Sequence, residues 1–119
     1  MNIEELREYC LSKKGTAESF PFDSETLVFK VMGKMYALTG LGSNPVEFNT
    51  KCDPEKAIEL REQYSCVLPG FHMNKNHWNT IVCDGTVNDK ILKQWIDHSY
   101  ELVVKSLTKK QREELGQVE

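Results

Sequence analysis

The chain has 119 residues, 39% hydrophobic and 28% charged, with a formal net charge of −3. That length suits one domain spanning residues 1–119, with a core of its own. The acidic balance argues against a generally basic nucleic-acid binder, and no apolar run approaches the roughly 18 residues that cross a bilayer.

The opening MNIEELREYC is amphipathic and acidic, unlike a secretory signal or an Arg-rich transit peptide, so a cytoplasmic location is expected. Asn2 caps the first predicted helix and Glu5 follows three residues later, as in a capping box. Ile3, Leu6, Tyr9 and Cys10 share one face, and Gly15 ends the segment. GTAESFPFDSE reads as a connection, with Phe20 and Phe22 expected to fold back onto the core.

TLVFKVMGKMYALTGLGSNPVEFNTK is rich in β-formers and predicts three strands. Gly33-Lys34 fits a tight hairpin turn between the first two, and Val46 to Lys51 makes the third. DPEKAIELREQY predicts a helix with Asp53 as N-cap, Pro54 at its first position, and Ala57, Leu60 and Tyr64 as its buried stripe. VLPGFHM and HWNTIVC follow as a hairpin around Asn74-Lys75-Asn76, which sets His72 opposite Trp78 if the loop has three residues. From Asn88 a long helix carries Ile91, Leu92, Trp95, Ile96, Ser99, Leu102 and Val103 on one stripe. Thr108 and Gln111 form a second capping box for a short last helix. The resulting fold class is α+β: helix, three strands, helix, two strands, then helices, with a mostly antiparallel sheet of about five strands packed against N- and C-terminal helices.

Chemistry-bearing residues concentrate in PGFHMNKNHWNT. Cys66, His72, His77 and Cys83 invite a zinc reading, but a strand rise of about 3.3 Å per residue holds the cysteines too far from the histidines. No metal and no cofactor are expected, and the four cysteines, which include Cys10 and Cys52, read as small core residues. No GxSxG elbow, HExxH pair, P-loop or dinucleotide fingerprint is present, and no carboxylate is placed beside either histidine, so no enzyme activity is expected. Trp95 belongs to a helical core stripe. Trp78 either packs or, beside His77 and Asn79 near a hairpin tip, offers a stacking surface. Lys30, Lys34, Lys51 and Lys75 lie at or near turns, where they can touch phosphates or simply guard sheet edges.

FPFDSETLVFKVMGKMYAL, KCDPEKAIELR, LPGFHMNKNHWNT and SYELVVKSL together resemble the MmcQ/YjbR family of small bacterial proteins, from the first helix through Leu107. The resemblance implies a CyaY-like, that is frataxin-like, fold. Members are commonly labelled DNA-binding through likeness to a "double wing" domain of a phage transcription factor, an analogy of fold and not of site. It implies no enzyme activity. Iron is not carried over, because the first helix offers only Glu4, Glu5 and Glu8, interspersed with Arg7.

The expectation is therefore a non-enzymatic binding module that contacts DNA weakly, through its backbone, using Lys30, Lys34, Lys51, Lys75, His77 and Trp78. The alternative is a protein- or small-ligand-binding domain with a groove near His72, His77 and Trp78. A lysine-lined convex surface would favour DNA and a neutral apolar concavity a ligand.

Overall fold

A computed structural model describes residues 1–70 and 73–117. Its elements run α1 (Ile3–Leu11), β1 (Thr16–Ser19), β2 (Thr26–Val31), β3 (Lys34–Gly40), β4 (Glu47–Lys51), α2 (Pro54–Gln63), β5 (Val67–Pro69), β6 (Trp78–Val82), α3 (Asp89–Ser106) and α4 (Lys109–Gly116). The strands form one sheet in the order β1-β2-β3-β4-β6-β5, antiparallel at every junction. The α+β class holds, with six strands among the described residues in place of about five. The added strand, β1, lies in the segment read as a connection: TAES is short and polar, and it forms because β2 gives it an edge to pair with, Thr16 against Val31 and Ser19 against Val28.

Local chemistry explains the helix ends. Asn2 accepts from the Glu5 N–H at 2.8 Å while the Glu5 side chain accepts from the Asn2 N–H at 3.1 Å, closing the predicted capping box. Thr108 and Gln111 repeat the device at α4. Asp53 takes the N-cap position of α2 with Pro54 at the helix start, yet its side chain makes no capping hydrogen bond, contrary to expectation. The first hairpin turns on Met32-Gly33, one residue earlier than Gly33-Lys34. Both residues have positive φ (50° and 79°), as a two-residue turn matching strand twist requires.

The core lies between the sheet and its helices. Leu27, Phe29 and Val31 of β2, Phe48 of β4 and Ile81 of β6 meet Leu6 and Cys10 of α1, Leu92, Trp95 and Ile96 of α3, and Leu115 of α4. Trp95 is buried and meets Tyr64 edge-on, ring centroids 5.1 Å apart. Ala57 buries α2 against β6, where the Asn79 Nδ2 donates to its carbonyl at 3.3 Å. Among the described residues, all four helices thus cover one face, and none lies on the opposite face of the sheet.

Candidate functional site

Alternation along the strands assigns the face without helices, on which Val28 and Thr80 are nonetheless buried. Val28, Leu38, Asn49, Thr80 and Leu68 are successive cross-strand partners from β2 to β5, and none of them belongs to the helix-covered core. A β-bulge shapes the middle of this face. Phe29 pairs with Ala37 and Lys30 with Met35, so Tyr36 is the extra residue. Tyr36 and Ala37 both enter the core, and Met35 and Leu38 both emerge on the open side. The Tyr36 hydroxyl is held inside by the Cys10 carbonyl at 3.0 Å and by Thr16 Oγ1 at 2.8 Å.

The emerging pair forms the floor of a cleft of about 400 Å³, together with Thr26 and Asn49. Phe22, from the β1–β2 loop, and Met73, from the β5–β6 loop, stand at its sides. None of the described lining residues is charged. Phe22 is 66% exposed and Phe20 47%, so the expectation that both rings fold onto the core is wrong. A six-residue loop anchored by Asp23, which accepts from the Glu25 and Thr26 N–H groups, holds them outward.

The residues singled out from sequence divide. Lys30 and Lys51 lie within strands and, by register, on the open face: Lys30 pairs with Met35 of the cleft, and Lys51 follows Asn49 by two positions on the same side. Lys34 leaves this group, because its Nζ donates to the Ser106 carbonyl at the end of α3, at 3.3 Å. Lys75 sits in a turn, its carbonyl accepting from Arg61 of α2 at 3.3 Å. The four lysines therefore do not converge, and only Lys75 occupies a turn.

Trp78 pairs with Lys51 but is 9% exposed, with Gly70 packed against its Cβ, so its ring is not the free stacking surface entertained above. His77 is exposed, and its carbonyl accepts from the Cys52 N–H at 2.7 Å. Strand pairing in this hairpin stops at Pro69–Asn79, so the three-residue loop expected around Asn74-Lys75-Asn76 does not join the strands. His72, part of the groove expected near His72, His77 and Trp78, lies outside the described residues; among those described, the cleft on this face is lined by Phe22 and Met73, and neither His77 nor Trp78 lines it.

Sequence reasoning overlooked a second grouping. His98, Cys52, Asn79 and Trp95 line a small cavity between the sheet, α2 and α3, of about 10 Å³, room for one water at most. His98 follows Trp95 by one helical turn, a spacing that marks it as core-facing. Burial, chiefly, lowers its pKa, and Nε2 lies 3.5 Å from the Asp53 N–H. Burial pushes the Cys52 thiol up to about 11, which keeps it protonated and weakly nucleophilic. The Asn79 Oδ1 is buried without a hydrogen-bond partner among the described residues.

These features define an α+β domain with an antiparallel sheet, helices on one face and an apolar cleft on the other. The chain belongs to the YjbR family, whose model matches residues 11–102. It is 35% identical over 118 residues to the uncharacterized protein YjbR of Escherichia coli (strain K12), covering 99% of this chain and all of that one. The crystal structure of Deinococcus radiodurans protein DR2400, a DUF419 domain, superposes with a TM-score of 0.90 at 44% identity, covering 97% of this chain and 88% of that one. A Pseudomonas syringae protein superposes with a TM-score of 0.73 at 27% identity, covering 86% and 98%. No helix among the described residues is long and apolar enough to cross a membrane.

Proposed function

We propose that this protein is a non-enzymatic binding module that holds DNA against the uncovered face of its sheet, with Lys30 and Lys51 contacting phosphates. One observation carries the reading: a chain of net charge −3 places two lysines on this face, where strand register assigns Glu47 as the one acidic residue among the described strands. Lys34 is left out of the contact because its Nζ serves the Ser106 carbonyl, and Lys75 because it lies in a turn whose backbone meets Arg61 of α2, not on the strands of this face. Two phosphate contacts imply weak binding, with log affinity falling against log salt at a slope of about −2. The non-enzymatic half of the reading draws on the small cavity, where the imidazole and thiol sit without space for a substrate.

An anisotropy titration of labelled DNA against folded protein, repeated across salt concentrations, tests this. A slope near −2 that flattens in Lys30→Gln/Lys51→Gln supports it. Absence of binding at low salt overturns it. The uncharged lining of the cleft favours a second reading, a compact apolar ligand seated between Phe22 and Met73, whose binding would be insensitive to salt.

A further inference from the structure

We propose that the DNA taken by this face is an unpaired strand, with one base seated in the open-face cleft against Phe22; the inference rests on the DNA reading above and specifies its substrate.

The cleft and the lysines make different demands, and an unpaired nucleotide meets both. The described lining is uncharged, with aromatic, thioether and aliphatic surface beside the polar Thr26, Thr39 and Asn49, which suits a planar base with a polar edge and does little for a phosphate. Lys30, paired with Met35, and Lys51, two positions along from Asn49, stand on its border and suit phosphates. They lie two strands apart, about 10 Å. In a duplex the bases are stacked inside and only the charged backbone meets a protein surface of this shape, leaving the apolar cleft unfilled. In a single strand the base is free to enter while its flanking phosphates remain outside.

Phe22 supplies the stacking surface. Its ring is 66% exposed at the mouth of the cleft, and Phe20, two residues earlier in the same loop, is 47% exposed. An apolar ring held outward is what sequence-tolerant base stacking uses. Asn49 supplies an edge contact: its Oδ1 accepts from Thr80 Oγ1 at 2.6 Å, which orients the amide and leaves its Nδ2 hydrogens for an acceptor on a base. Met73, from the opposite loop, closes the far side with a polarizable thioether that adapts to purine or pyrimidine.

The test compares a labelled 20-nucleotide mixed-sequence strand with its own duplex, by anisotropy at low salt, against wild type, Phe22→Ala and Phe22→Trp. Circular dichroism verifies the folding of each; Phe22 is exposed, so its removal leaves the core intact. The expected result is a single strand bound at least about ten-fold more tightly than duplex, a loss of about 5-fold to 100-fold in single-strand affinity for Phe22→Ala, and retention in Phe22→Trp. Equal or tighter duplex binding, or unchanged single-strand binding by Phe22→Ala, overturns the seated base while leaving the phosphate contact standing. Failure of folded wild type to bind either form overturns both.

Discussion

Lys30 and Met35 are cross-strand partners on the uncovered face, which sets a cation directly beside the apolar floor of the cleft. The bulge at Tyr36 produces this juxtaposition. Without the extra residue β3 would alternate regularly, and Met35 and Leu38 could not both face outward. The same residue that re-phases the strand is anchored in the core by its hydroxyl. Fold and site are thus coupled through one tyrosine.

That coupling makes Tyr36→Phe informative. The Cys10 carbonyl and the Thr16 hydroxyl would lose their shared buried partner, at a cost of about 1–3 kcal/mol. A lowered urea midpoint with an unchanged m-value is the expected outcome. An unchanged midpoint would mean that water replaces the hydroxyl and that the bulge has another anchor.

Lysines that look equivalent in the sequence should separate in solution. Lys30→Gln is expected to weaken DNA binding uniformly across sequences and reduce the salt slope by about one. Lys34→Gln, whose Nζ serves the Ser106 carbonyl, is expected to leave affinity within about two-fold. Parallel titrations of the two variants check the contrast.

The tight approach of Gly70 to β6 predicts intolerance of any side chain there. A Cβ at this position would stand 2.8 Å from both the Cβ and the carbonyl oxygen of Trp78. Gly70→Ala must displace the strand or the 70–77 connection, costing about 1–3 kcal/mol. Thermal denaturation followed by tryptophan fluorescence should show a lower midpoint.

Buried acidic protons fix the response to alkali. Burial pushes the Cys10 thiol up to about 12 and those of Cys52 and Cys83 up to about 11, from an ordinary 9.0, and raises the Tyr36 phenol as well. Above pH 9 the unfolded chain releases protons that the folded chain keeps, so stability falls as pH rises. Urea midpoints should be level up to about pH 9 and decline from there towards pH 11. Level midpoints across that window would contradict the burial of these groups.

Much of the helical layer is written in local chemistry. Asn2 with Glu5, Thr108 with Gln111, and the stripe from Leu92 to Val103 each satisfy short-range rules that the fold has no reason to override. The sheet is different, because its features depend on partners distant in sequence. β1 exists only where β2 offers an edge, and the bulge at Tyr36 is visible only once Phe29 and Ala37 are paired. Met32, a non-glycine residue at positive φ, hid the true position of the first turn. The site suffered most. Trp78 looked available because it adjoins a turn, but Gly70 packs against it; Phe22 looked buried because it is apolar, but its loop holds it outward. Within HMNKNHWNT, Met73 is lent to the cleft and Trp78, Asn79 and Thr80 open β6, while the sequence around Phe22, Met35 and Asn49 contains no contiguous motif.

The uncovered face as the contact surface is the central claim, and amide chemical-shift mapping addresses it directly. On adding an unpaired 20-nucleotide DNA at low salt, amides of Thr26, Met35, Leu38, Asn49 and Lys51 should shift, while those of α1 and α3 stay in place. Shifts confined to the helical layer, or none at all, would contradict it.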